Sequence, residues 1–538
     1  MSFIEFTGAR RIPLIGRRDL LKEAERRIGR GGPHLLYLEG GGGIGKTALL
    51  ETILEQSQRG PRADDFPACC VASEIVDLYH ADVHTSEGLI RRMCEVLGRW
   101  SFERTEEVLA DLDRARLIGD MDAANRQAKA LREAFVEEFN LLAEDGVVLA
   151  LDTLEVLEHE RDPFQEELGA EVPILSAGEW LFKSFLPAVA GNVMLLLAGR
   201  PANLAERLEA VRAANPQLML HHTVLEALGP EETEEYLLTV AQAEGKRGDG
   251  DAAARLWAYG EERSDVVHYL TGGRPILLAL VADMVAHGWA LPSAFNRPLE
   301  EILDRDLRTS WDEIERALVV RIQDSPTPIG DTIRALAWLR KGATPELLAR
   351  VLDLRTPDGQ WDVYTVAGYL EQVTNLALIK VRPGTRSVFL HDEMYTLLDR
   401  YILDECSQAE RDRVYEAIRG YYRDLTRDLE QRIERSSPMF ATSQAHLRQA
   451  YVEEMHYRLR HMAPMGFAMY FWLAEEALGG RDSEMDMLLR AEFLRTLATL
   501  ETDDYYVERL LREAEIDMAV RWGMRALFLY AQPEAALH

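Results

Sequence analysis

Apolar and polar positions alternate with different periods in different parts of the chain. Between residues 34 and 225, continuous apolar runs occur at 146–151 (GVVLAL) and 193–198 (VMLLLA), a short apolar segment at 34–39 (HLLYLE) reads as a buried strand, and further strands are predicted over 67–78 (PACCVASEIVDL) and 218–225. Unbroken apolar character suits strands buried on both faces, as in a parallel sheet. Helical spacing lies between them. It covers 19–28, with Asp19 as N-cap; 48–54; 84–100, where Leu89, Ile90, Met93, Val96 and Leu97 share a face; and 105–143, read as two helices broken near Gly119. Strands alternating with helices predict an α/β domain with a parallel sheet over residues 1–228.

From Gly229 onward the pattern is helical. Helices are predicted at 229–243, 252–263 and 274–287, with a glycine-rich turn at 245–251, and together they define an all-α lid over 229–324. Residues 325–404 change character again. Three short helices (332–340, 344–352, 363–375) precede two short strands (377–381, 387–390) around a turn at 382–385, which is a winged-helix pattern. Residues 405–538 are helical throughout, with helices at 408–434, 443–462, 465–478, 482–500 and 504–530 and a fraying end at 532–538. These resemble helical-repeat hairpins without matching a repeat consensus. The predicted fold class is therefore multidomain: an α/β parallel-sheet domain, a helical lid, a winged helix and an all-α C-terminal region.

Composition narrows the setting. A chain of 538 residues is too long for one core, and its 47% of apolar residues is ordinary for a globular protein. No apolar stretch of about 18 residues predicts a transmembrane helix, and the N-terminus lacks a secretory signal. The four cysteines, Cys69, Cys70, Cys94 and Cys406, fit neither a disulfide framework nor zinc spacing, so a cytoplasmic, reducing setting is expected. The net charge of −30 argues against a broad nucleic-acid-binding surface.

The chemistry is concentrated in 40–47, GGGGIGKT. It fits the P-loop pattern G-x-x-x-x-G-K-[ST] and has the strand before it and helix after it that the motif requires. Gly40, Gly41, Gly42, Gly43, Ile44 and Gly45 would turn backbone N–H groups toward phosphates. Lys46 would neutralise the β- and γ-phosphates, Thr47 would offer its hydroxyl to Mg²⁺, and Ala48 continues the helix start. Asp152, just past a buried strand, stands where P-loop proteins hold Mg²⁺. The next position, where many P-loop ATPases carry a second acid, is Thr153; Glu155 is the nearest replacement for a catalytic base, and a surface-turn role is the alternative. Arg200, at the tip of the 193–198 strand, can serve as a γ-phosphate sensor or can pair with a surface carboxylate. Gly273-Arg274-Pro275 alone reads as a helix start with proline in the first turn. His391-Asp392 alone reads as a common structural pair.

Taken in order, these elements resemble the STAND class of P-loop NTPases, of the NB-ARC and bacterial NLR-like kind, over residues of about 10 to 400. Ile15, Gly16 and Arg17 are similar to the family segment whose backbone borders the adenine. Pro275 is similar to the proline of its G-x-P motif. His391 is similar to the histidine of its MHD motif, which binds the β-phosphate of ADP, with Leu390 replacing the methionine. The resemblance implies a weak ATPase that uses ATP or ADP with Mg²⁺ as a switch in signalling or defence. It would rest with ADP between domains, exchange it for ATP, and then form a homo-oligomer. A protein trigger or effector would act through the helical C-terminal region. Thr153 in place of the second acid puts efficient hydrolysis in doubt. No effector domain is seen before Ile12 and no regular sensor array follows, which fits either a minimal member or a longer protein cut in its repeats. Other readings are an AAA+ origin-initiator-like ATPase using its winged helix on DNA, a transcription-regulatory ATPase of the same class, and a metabolic kinase.

Overall fold

The computed structural model describes residues 14–58, 70–118, 120–160, 176–201, 204–303, 307–381, 387–434 and 440–500, together with isolated positions beyond 507. The predicted turn at 382–385, most of the predicted 504–530 helix and the chain end at 532–538 lie outside the described residues. The chain divides into two compact units. One gathers residues up to Leu20, the 40–49 loop and Leu225–Tyr421; the other gathers Leu21–Glu39, Leu50–Val224 and the chain from Tyr422 onward.

The second unit holds the sheet. Strands β1 (Pro33–Glu39), β2 (Cys70–Val71), β3 (Val76–Asp77), β4 (Val147–Asp152), β5 (Val193–Gly199) and β6 (Met219–Val224) are all parallel, in the order β2-β4-β5-β1-β6, with β3 also on β4. β4 and β5 are buried along their whole length, and nearly all of β1 is. That is what continuous apolar runs demand of central strands. β6 has only exposed and half-buried positions because it forms an edge. The strand predicted over 67–78 is instead two pieces. β2 pairs with the start of β4 and β3 with its end, and the chain between them leaves the ladder.

The register sets the carboxyl ends of the strands level. Glu39 pairs with Gly199, Leu151 with Leu197, and Asp77 with Asp152. In open parallel sheets this edge is where ligands bind. Ser86–Leu97, Glu103–Leu117 and Met121–Leu142 form the predicted helices, the first starting later than expected because Thr85 caps it by accepting from the Gly88 N–H at 2.9 Å. The C-terminal helices Phe440–His461, Ala463–Gly479 and Ser483–Ala498 share a core of Met455, Tyr470, Leu489 and Phe493. Arg448 donates to Asp482 (2.8 Å) and Glu484 (2.7 Å) there. Burial opposes the Glu484 charge, but Arg448 and Arg116 prevail and hold its carboxyl below the usual range.

The first unit is almost wholly helical. Pro230–Arg247, Gly250–Thr271 and Pro275–His287 occupy the predicted lid, and the last is buried from Pro275 to Ala286. Ile329–Trp338, Pro345–Val351 and Val363–Val373 follow, then the antiparallel pair β7 (Ile379–Val381) and β8 (Val388–Leu390), then Asp392–Tyr401. Asp283, buried in its helix, accepts the Ala377 N–H at 2.8 Å, which ties the lid helix to the chain entering β7. Asp19 was expected to cap the first helix, Arg18–Arg30; it lies inside the first turn instead, where its charge suits the helix dipole. Among the described residues no helix is long and apolar enough to cross a membrane.

Candidate nucleotide site

In the first unit, the 40–47 loop after β1 wraps around its own lysine. Lys46 Nζ donates to the carbonyls of Gly40 (2.7 Å) and Gly41 (2.9 Å), so the ammonium folds back over the glycine turn. The Leu49 N–H reaches the Gly45 carbonyl at 3.1 Å and opens the Lys46–Gln58 helix. Gly41 and Gly45 have open space where a Cβ would stand. Gly43 is required sterically: its φ is +67°, and a Cβ would lie 2.5 Å from Ile276 Cγ2. Its carbonyl accepts the Ile276 N–H at 3.2 Å. The loop and the Pro275 helix start are thus joined directly, although they stand far apart in sequence.

The neighbouring predicted residues belong to the same unit. Ile15 is buried, Gly16 has φ +70° and abuts the Glu232 carboxylate, and Arg17 donates to the Glu226 carbonyl. Burial lowers the Arg17 pKa from its ordinary value, against the pull of Glu232 and Glu226. Arg274 forks between Glu315 and Glu393, the latter at 2.9 Å. Glu393 lies two residues past His391, the residue at the N-cap of Asp392–Tyr401. The His391 N–H donates to the Leu378 carbonyl at 3.0 Å, holding it at the end of β8. Burial, with Lys380 adding to it, pushes the imidazole pKa down to about 4. At neutral pH His391 is therefore uncharged and offers one N–H donor and one acceptor.

The second unit holds the acidic residues. Asp152 ends β4 and is 5% exposed; its Oδ1 accepts the Thr153 N–H at 2.8 Å. Thr153 has φ +66°, a left-handed conformation rarely adopted by a β-branched residue. Its hydroxyl donates to Asp77 Oδ1 at 3.0 Å. Glu155 accepts the Arg200 backbone N–H at 3.0 Å through Oε2, and its Oε1 lies 3.4 Å from Arg200 Nε. The residues read separately as base and sensor are thus partners of one another. Sequence reasoning missed Asp77. The signal was there in the apolar-then-acid ending of EIVD, but only the register with β4 gives it meaning.

Among the described residues no group of three His, Cys, Asp or Glu side chains could hold a metal alone. A single hard oxygen donor such as the Asp152 carboxylate still suits Mg²⁺, which prefers one or two protein oxygens plus nucleotide phosphates and water. In that role the ion would neutralise phosphate charge.

Residues 13–173 match the model of an AAA ATPase domain, a span that includes both the glycine loop and Asp152. The chain therefore carries an AAA-type ATPase domain. No curated protein matches it. Among solved structures, this chain is similar to a STAND protein with a tetratricopeptide repeat sensor from Pyrococcus horikoshii, at 13% identity, 100% of this chain, 69% of that chain and a TM-score of 0.41. It is also similar to Aeropyrum pernix ORC1 in complex with DNA (17% identity, 73% and 94% covered, TM-score 0.28). A third similar structure is Aeropyrum pernix ORC2 in its ADPNP-ADP complexes (16% identity, 74% and 96% covered, TM-score 0.31).

Proposed function

We propose that this protein is a STAND-type P-loop ATP/ADP switch of the NB-ARC kind, working in signalling or defence with slow hydrolysis. The observation that carries the reading lies inside the first unit. The glycine loop bonds the start of the Pro275 helix through Gly43 and Ile276, and Arg274 joins that start to Glu393 beside His391. A diphosphate held by Lys46 and the loop amides would rest near the element that carries a neutral imidazole donor. On this reading 1–228 is the nucleotide domain, 229–324 the lid, 325–404 a winged helix and 405–538 the helical region that receives a protein trigger.

ADP stabilises the resting state to the extent that it binds that state better than the active one. ATP gives up the His391 contact, draws Arg200 away from Glu155 and favours a homo-oligomer. Lys46 and Thr47 serve phosphate and Mg²⁺, Asp152 holds the ion, and Glu155 orients water when Arg200 releases it. The pairing of Glu155 with Arg200 and the absence of an acid at position 153 both favour slow turnover. The chemistry requires no DNA, and the Val363–Val373 helix carries no Lys or Arg.

Calorimetry on the full chain tests the reading. Tight ADP binding by the wild type, weakened by His391→Ala and weakened further by Lys46→Ala, is expected; no nucleotide binding by the wild type would end it. A gel-shift series in salt tests the DNA-acting alternative, and no salt-sensitive shift is expected.

A further inference from the structure

The position after Asp152 is where an acid is expected, yet Thr153 stands there in a left-handed conformation that disfavours a β-branched residue. Something must hold it. Its two donors are both engaged: the N–H goes to Asp152 Oδ1 at 2.8 Å and the hydroxyl to Asp77 Oδ1 at 3.0 Å. Asp77 and Asp152 are register partners at the carboxyl ends of adjacent parallel strands, so their side chains leave the sheet on the same face. Two carboxylates so placed repel. Thr153 gives each of them one hydrogen bond and spans the pair, which an acid at 153 could not do because it has no hydroxyl donor when ionised.

Asp77 is itself anchored. Its Oδ1 also accepts the Tyr79 N–H at 3.1 Å, and its Oδ2 lies 3.8 Å from His80 Nε2. Arg495, from the Ser483–Ala498 helix, donates to the Tyr79 carbonyl at 3.1 Å and lies over the Tyr79 ring. Glu155, the other acid near Asp152 in sequence, is committed to Arg200.

We propose that Asp77 is a positioning residue of the hydrolytic site: acting through the Thr153 hydroxyl, it holds the turn that aims the Asp152 carboxylate at nucleotide-bound Mg²⁺. Partners one shell behind a metal-holding carboxylate orient it and set the affinity for the ion. Asp77 does so from a neighbouring strand. The inference rests on the nucleotide-binding reading above and adds to it a residue outside its motifs.

The test measures ATP affinity by calorimetry on the full chain, once with Mg²⁺ and once with EDTA, for Asp77→Ala, Asp77→Asn, Thr153→Val and the double variant Asp77→Ala/Thr153→Val. The Mg²⁺-dependent part of the affinity should fall about tenfold in Asp77→Ala and in Thr153→Val. The EDTA affinity should hold. The double variant should be no worse than either single one, because both break the same link. Asp77→Asn keeps an acceptor for the Thr153 hydroxyl and should recover most of the loss. The half-saturating Mg²⁺ for ATP hydrolysis should rise in parallel. Equal losses with and without Mg²⁺, additive losses in the double variant, or an Mg²⁺ response unmoved by Asp77→Ala would each overturn the proposal. If Asp77→Ala fails to fold, Thr153→Val against the wild type decides it, since that change keeps the shape and removes the hydroxyl. A wild type that binds no nucleotide would instead sink the underlying reading, a result distinct from all of these.

Discussion

The two units divide the candidate residues by charge. In the first, the groups are cations and a neutral imidazole, tied down by carbonyls and buried carboxylates: Lys46 on Gly40 and Gly41, Arg17 on Glu226, Arg274 on Glu315 and Glu393. In the second they are carboxylates, Asp77 and Asp152 at strand ends and Glu155 just beyond, with Arg200 paired to Glu155. The first set is suited to gripping phosphate. The second is suited to holding a metal and a water. Changes in the first unit should therefore move nucleotide affinity with or without Mg²⁺, and changes in the second should move turnover and only the Mg²⁺-dependent part of binding.

The largest expected effect is in the second unit. Asp152→Asn should lower ATP hydrolysis by about 100-fold or more while ATP still binds in EDTA, because the charge that holds the ion is gone. Steady-state phosphate release and calorimetry on the same sample check it. A parallel loss of EDTA affinity would break the division. Next is Lys46→Ala, which should weaken ADP and ATP alike by about 100-fold, the effect of removing a charge-assisted contact worth about 3 kcal/mol. His391→Ala should follow, with ADP about tenfold weaker, ATP little changed and larger species in light scattering.

Stability sharpens the contrast between the two arginines. Arg274 and its partners are largely buried, so Arg274→Ala leaves two carboxylates without their shared cation and should cost about 3 kcal/mol in denaturant melts. Arg200 is 37% exposed, and Arg200→Ala should cost less than about 1 kcal/mol. Equal costs would mean that Arg200 is as structural as Arg274. The smallest effect is on pH. His391 and His221, one in each unit, have pKa values pushed from 6.5 to about 4, mainly by burial. Between those values the unfolded chain takes up protons that the fold refuses, so stability should fall as pH drops from about 6.5 toward 4. Thermal melts across that window should show a shallower slope for His391→Gln.

Much of this was legible in the residue order. The glycine loop declares itself because phosphate binding by backbone amides needs glycines at fixed offsets and a lysine next to a hydroxyl. β4 and β5 declare themselves because a strand buried on both faces must be apolar throughout. The 67–78 segment was legible as a strand but not as two, since only pairing against the two ends of β4 shows where the ladder breaks. Helix ends drifted by a few residues where a cap such as Thr85 decided them.

What the sequence determined by itself is what depends on neighbours along the chain: the periods of its elements, the phosphate loop, and the acid that ends β4. What tertiary structure decided depends on register and packing between distant segments. Asp77 gains its place beside Asp152 only from the pairing of β3 with β4. Glu155 and Arg200 become partners only because β5 lies next to β4. Gly43 is obliged to be glycine not by its own turn alone but because Ile276 packs against it. Hydrogen bonds and close packing act over a few ångströms of space whatever the distance in sequence, so these facts are written in the fold and not in any stretch of the chain.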